Sequence, residues 1–372
     1  MRSSPTRRQL LTTGSTGLLA GLGLAGCIGG GQSGSNDSGT GDSNNSRSSN
    51  GTAGNGASSA GALTIAFVPI YPNMQHFVMQ EEGYYDELPN DVNVRQFSDG
   101  PSVVKAFASG DVDVAMFGIS PTMVLTDRGV NANVLVPNSR NGFRVMATEA
   151  FASSYANDGA DAFAAFREQN GRQVRFGVPP DGSVPDVITR YWIQEDLGLG
   201  DLGSVVEKVQ IPPARAPQAI QSGDIDATMI QEPFATVIAN ESGFEEAAWS
   251  GDIFPGHPVT VMFVSDRVSS GTARSLVTQH IRATEFARNQ PQAAADDAAA
   301  VIGSGVSSDL ARRAIDSQAS DFLSDPNEVT DQAATMAEFV SEVGNTDSVV
   351  SPSRLFDTSI YESVAEGSTT TR

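Results

Sequence analysis

Cysteine is all but missing. Cys27 is the only one among 372 residues, which excludes a disulfide framework, a thiolate metal cluster and a cysteine nucleophile in the body of the chain. Lysine is nearly as scarce: of 23 basic residues only Lys105 and Lys208 are lysine and the other 21 are arginine, set against 44 acids. The resulting formal charge of -21 weighs against nucleic acid as a partner. An acidic surface this poor in lysine suits a protein kept soluble in concentrated salt, a halophilic character. Histidine occurs only as His76, His257 and His280, without His-x-x-x-His spacing, so no metal is expected. Beyond the first 27 residues no stretch approaches the roughly 20 apolar residues of a membrane helix.

What is present begins with a leader. "TRRQLL" followed by the apolar, glycine-rich run from Leu18 to Gly26 reads as an export signal. Arg7 and Arg8 resemble a twin-arginine signal and Leu24, Ala25, Gly26 and Cys27 resemble a lipobox, which would leave Cys27 as a lipidated first residue and 1–26 as signal peptide. Removing 1–26 takes away Arg2, Arg7 and Arg8 and no acid, so three positive charges go and -21 becomes -24. Residues 27–61 are almost wholly Gly, Ser, Asn, Asp, Thr and Ala after the first two, a composition that cannot bury enough apolar surface to offset the entropy of ordering. This segment reads as a lipid-anchored tether to the outer face of the membrane, and Asn36, Asn44 and Asn50 each open an Asn-x-Ser/Thr glycosylation sequence within it.

From residue 62 the chain is long enough for two lobes. "LTIAFVPI", "VNVRQF" and "VDVAMFGI" read as strands, alternating with helices through Met74, Phe77 and Val78 and through "PSVVKAFASG". The same order restarts with "VRFGVP", the helix "SVPDVITRYWIQEDLG", "VEKVQIP", "RAPQAIQSG" and "DATMIQ". Short connections between like elements predict a parallel sheet in each lobe. "SGDVDVAMF" at 109–117 and "SGDIDATMI" at 222–230 are then equivalent turns, with Gly110 and Gly223 ending a helix in the left-handed conformation. Asp111 and Asp113 suggest a metal pair in isolation, but their duplication favours a turn. The division predicted is 62–145 with 258–372 as lobe 1 and 146–257 as lobe 2, with crossovers at 142–148 and 255–264.

In this order "FVMQEEGYYDE", "DGPSVVKAFASGDVDVAMFGISP", "VRFGVPPDGSVPDVITRYWIQEDLGL", "PPARAPQAIQSGDIDATMIQEPFATVIANE" and, more weakly, "ARNQPQAAADDAA" resemble the substrate-binding proteins of ABC importers of the nitrate/sulfonate/taurine and thiamine-precursor class. The resemblance implies an α/β, two-lobed type II periplasmic-binding fold that closes over a small solute, a permease as partner, no cofactor and no catalysis. Carried over by position, it brings Tyr71, Asn73 and Gln75 to the cleft, with Gly118, Ser120 and Thr122 from "GISPT", Gly182 and Ser183 from "DGSVP", and Gln231 and Glu232 from "QEP". Ser183 and Asp186 also spell a capping box, which needs no ligand. Arg144, with Arg140 and Arg215, is a candidate clamp for a sulfonate or carboxylate. The expected solute is small and anionic or zwitterionic, like sulfonate, taurine or nitrate, and the chain is expected to be a monomer. The alternative is a pyrimidine-precursor binding protein or a synthase-like enzyme of the same fold, which needs a lysine for a Schiff base with pyridoxal phosphate.

Overall fold

The β-branched and aromatic runs of the sequence form the strands, and the computed structural model describes them within residues 60–303 and 306–369. The predicted signal sequence, Cys27 and the predicted tether up to residue 59 lie outside the described residues. The strands are β1 (Ala60–Phe67), β2 (Asn90–Gln96), β3 (Val114–Gly118), β4 (Ala132–Arg140), β5 (Phe143–Thr148), β6 (Val174–Val178), β7 (Val206–Gln210), β8 (Ala227–Gln231), β9 (Phe244–Trp249), β10 (Pro258–Ser265) and β11 (Asp321–Phe322). They make a six-stranded sheet ordered β11-β4-β10-β3-β1-β2 and a five-stranded sheet ordered β7-β6-β8-β5-β9.

The predicted parallel pairings hold for β2-β1-β3 and for β7-β6-β8. Both sheets are nonetheless mixed, because β10 runs antiparallel to β3 and β4, and β5 runs antiparallel to β8 and β9. The reason is the route of the chain: β4 passes from the first sheet into β5 of the second through Asn141 and Gly142 alone, and the return runs from the short helix Ser250–Ile253 through Phe254–His257 into β10. The parallel pairs are joined by helical crossovers within their own sheet, whereas β5 and β10 are each entered from the other sheet. The two passages are bonded to each other. Asn141 N donates to His257 O at 3.0 Å, Gly256 N donates to Asn141 Oδ1 at 2.7 Å and Trp249 Nε1 donates to Asn141 O at 2.9 Å. Asn141 has φ +55°, a left-handed conformation that asparagine tolerates better than most residues.

The repeated pentapeptide does the same work in both sheets. Gly110 and Gly223 have φ +82° and +75°, and the serine before each donates to the aspartate after it, Ser109 Oγ to Asp111 at 2.8 Å and Ser222 Oγ to Asp224 at 2.7 Å. Val112 and Ile225 are fully buried. The second aspartate then ties the next strand to its neighbour: Asp113 accepts from Thr64 N at 3.0 Å, and Asp226 accepts from Arg175 N at 2.8 Å. Asp226 also holds Arg172 and Arg175, at 2.5 and 2.9 Å.

Three apolar clusters result. One fills the outer face of the first sheet around Phe77, Met116 and Met262, and a small one backs the second sheet around Ile220 and Ile230. The largest runs from Phe117 and Phe263 of the first sheet through Val184 to Phe176 and Trp192 of the second. The lobes therefore share one core across their seam.

Candidate functional site

The carboxyl ends of β1, β2 and β3 and of β6, β7 and β8, with the starts of the antiparallel β5 and β10, face one cleft. After β1 comes a single helical turn, Tyr71–Asn73, and after β3 the helix Ile119–Asp127 starts at once. In the second lobe a loop after β6 leads into the helix Val184–Tyr191, and Glu232 and Pro233 after β8 lead into Phe234–Ala239. Tyr71 N donates to Glu232 O at 3.1 Å and Ser120 Oγ donates to Gly182 O at 2.9 Å, so the lobes touch at both sides of the cleft. Between these contacts lies a cavity of about 50 Å³. Val68, Ile70, Asp99, Gly118, Val259 and Thr260 line it from the first lobe, and Phe143, Pro179, Ser183, Val184, Pro213 and Gln231 from the second.

Of the residues predicted for the site, Gly118, Ser183 and Gln231 line this cavity. Gly118 is required by closeness: a Cβ there would stand 2.8 Å from Val184 Cγ2. Ser183 is the N-cap of Val184–Tyr191, yet its hydroxyl makes no capping bond and, although buried, has no hydrogen-bond partner. The capping box predicted from Ser183 and Asp186 is therefore not formed. Lys208 Nζ, 2.5 Å from Asp186 Oδ1, and Arg190 Nε, 3.2 Å from Oδ2, draw that carboxylate away, and its backbone contact is with Gly182 N at 3.0 Å.

The other predicted residues are spent on the framework around the cavity. Asn73 donates to Val68 O and Met116 O and accepts from Asn138. Gln75 Nε2 donates to Asn138 O and Thr284 Oγ1. Thr122 Oγ1 returns to Gly118 O at 2.8 Å, within its own helix. Ser120 and Gly182 form the seam contact already described. Glu232 is fully buried and accepts from Arg144 at 3.0 Å and from Thr236 N at 2.9 Å. Arg144 also donates to Glu246 at 2.5 Å, so both its faces are occupied, and these two carboxylates outweigh the opposing effect of burial and hold it charged. Tyr71 is buried with an unpartnered hydroxyl, and burial first and then the charge of Glu232 push its pKa up, keeping it neutral. Arg140 is bound by Asp321 and Glu328, and Arg215 is exposed.

Asp99 is the site residue the sequence reading missed. It caps the helix Gly100–Ala108 by accepting from Ser102 N at 2.8 Å, and it also accepts from Ser98 Oγ at 2.8 Å. Burial would raise its pKa, but the bonds from Ser102 and Ser98 and the charge of Lys105 prevail and lower it, so it is ionised at neutral pH. Its position in the loop after β2, at the carboxyl end of a strand, is the signal that marks it. Among the described residues no Arg or Lys lines the cavity. The polar residues on its wall are Asp99, Ser183, Gln231 and Thr260, among apolar ones.

The family model described as NMT1-like matches residues 56–303. A Brucella abortus chain that carries the description of a binding protein is 27% identical over 194 residues, covering 50% of this chain and 53% of its own. The bicarbonate-binding protein CmpA of a Synechococcus is 22% identical over 211 residues, covering 53% and 46%. The chain thus spans about half the length of the curated relatives it matches. Among solved structures, the periplasmic nitrate-binding protein NrtA of Synechocystis PCC 6803 superposes with a TM-score of 0.69 at 15% identity, over 82% of this chain and 88% of that one.

Proposed function

The chain belongs to the NMT1-like family, and from that membership and the geometry of the cleft we propose that it is the solute-binding component of an ABC-type importer, delivering a small solute to a permease without chemistry. The observation that carries the reading is the buried, unpartnered hydroxyl of Ser183 at the start of a helix, on the wall of the cavity between the lobes. A buried hydroxyl without a partner costs stability. A solute acceptor group supplies that partner, and the first N–H groups of Val184–Tyr191 add a field that favours negative charge.

Asp99 refines the ligand class. A bare anion such as nitrate or bicarbonate meets its carboxylate with no Arg or Lys on the cavity wall to compensate. A zwitterion meets both ends, its acidic group at Ser183 and its ammonium at Asp99, and an amino-sulfonate of the taurine kind is the solute we favour. The cavity of about 50 Å³ is about a third of the ~150 Å³ that admits benzene. Taurine therefore requires the lobes to stand slightly wider, by rotation at the paired passages Asn141–Gly142 and Phe254–His257. A pyrimidine ring requires more still. Catalysis through a Schiff base is disfavoured because Lys208 is paired with Asp181 and Asp186, and Lys105 is outside the cavity wall.

For the whole protein we further propose attachment to the outer face of the membrane through a lipid on Cys27, with the tether carrying a monomeric binding domain. Cys27→Ser then releases the protein from membranes, and undiminished membrane retention would contradict the anchor. The test of the ligand reading is a thermal-shift panel of taurine, an alkanesulfonate, nitrate, bicarbonate and a pyrimidine precursor. A solute bound only by the folded state adds about 2.7 kcal/mol at a hundred times its Kd. Taurine should give the largest rise, and Asp99→Asn, which keeps the cap, should abolish it. A rise with nitrate or bicarbonate and none with taurine overturns the zwitterion, and no rise with any solute removes the support for this ligand class.

A further inference from the structure

A second hollow of about 320 Å³ opens on the same seam, and Pro121 belongs to the walls of both. Lys105 and Arg128 reach it from the ends of the helices Gly100–Ala108 and Ile119–Asp127, Asn345 from the segment after the helix Thr330–Glu342, and Asp181 and Gly182 from the second lobe. Charge distinguishes this hollow. In a chain with 44 acids to 23 bases, Lys105 and Arg128 are exposed and neither forms a salt bridge among the described residues. Asn345 Nδ2 is buried and donates to nothing. Asp181, the acid on the wall, is already engaged by Lys208 and lies 3.7 Å from Arg190, and Asp99, whose carboxylate feels the charge of Lys105, lines the solute cavity rather than this hollow. Gly182 has φ +77° and leaves the floor bare, since a Cβ there would stand 3.6 Å from Asn345.

We propose that this hollow is a separate site for a small oxyanion of the phosphate or sulfate class, held by Lys105, Arg128 and the Asn345 amide. Arginine and lysine supply charged donors suited to such a group, and the unused amide N–H gains the acceptor it lacks.

Inorganic phosphate titrated into the chain at constant ionic strength should give a single saturable binding heat. Lys105→Gln with Arg128→Gln should weaken it at least tenfold while leaving the circular dichroism spectrum and the melting temperature without phosphate unchanged. The solute cavity does not enter this measurement, so it stands or falls apart from the importer reading. No saturable heat, or equal responses from wild type and double variant, overturns the proposal. Phosphatidylglycerol vesicles form the second arm: sedimentation with vesicles that needs both cations, in a protein that ignores free phosphate, assigns them to a lipid headgroup and also overturns it.

Discussion

Gly118→Ala perturbs the closed cleft without touching a polar group. Gly118 has φ -62° and ψ 144°, a conformation alanine adopts freely, so the backbone is not strained by the change. The added Cβ meets Val184 Cγ2 at 2.8 Å, where carbon atoms ordinarily settle at roughly 3.5–4.0 Å. Val184 is 3% exposed and packed in the shared core, so it must retreat by about 1 Å, and overpacking of this kind costs about 1–3 kcal/mol. The same Cβ stands 3.2 Å from Pro121 of its own lobe, so part of the cost is present with the lobes apart and only the part due to Val184 falls on closure. At about 1.4 kcal/mol per tenfold, solute affinity drops roughly 5- to 140-fold. Calorimetric titration with the solute that most stabilises the wild type measures the loss, and small-angle scattering should show a larger radius of gyration. Val184→Ala removes the opposing methyl and should restore much of the affinity in the double variant, a coupling that a double-mutant cycle reads directly. Unchanged affinity and radius in Gly118→Ala, or a double variant whose losses merely add, refutes the seam as the closing surface.

Ser183→Ala should cut solute affinity at least tenfold with no loss of thermal stability, because its hydroxyl has no partner in the folded chain; a fall in stability without a change in affinity would make it structural. Asp226→Asn tests the repeated turn. Burial alone would raise the Asp226 pKa, but the bonds from Arg172 and Arg175 lower it to about 2 from 3.8, worth about 2 kcal/mol. That stability is present above about pH 4 and is lost as the pH falls towards 2, so denaturant unfolding should show a deficit at pH 7 that shrinks at pH 2.5, and a deficit equal at both pH values contradicts the assignment. Asp297 has the opposite sign: burial, then the charges of Glu82, Glu81 and Asp296, raise its pKa to about 7. The native state loses stability as the pH rises through that value, so Asp297→Asn should raise the melting temperature at pH 8 and much less at pH 4, and an equal rise at both would exclude the ionisation as its cause.

Local patterns carried the reading of the α/β units well because each is settled within a few residues. The glycines at 110 and 223, each closing a helix before a buried residue and a strand-tying aspartate, were legible as one turn used twice, and their φ angles and bonds agree. Direction of the strands beyond the crossovers was not legible, since β5 and β10 are each entered from the other sheet, and no local pattern states which sheet a strand joins. The site divides along the same line. Ser183 was visible as the start of a helix, but its pairing with Asp186 failed because Lys208, distant in sequence, takes the carboxylate. Asp99 reads locally as an ordinary cap and becomes a cavity residue only when Ser183 and Gln231 of the other lobe close over it. Asn73, Gln75 and Glu232 stand at the right loops, and burial has turned them into supports for those loops.

The most direct test of the account is a crystal structure of the chain with taurine, or with whichever solute of the panel binds most tightly. The solute is expected in the cavity between the lobes, with an acceptor atom within hydrogen-bond distance of Ser183 Oγ and its ammonium at Asp99. A solute held outside that cavity, or inside it with the Ser183 hydroxyl still unpartnered, would contradict the account.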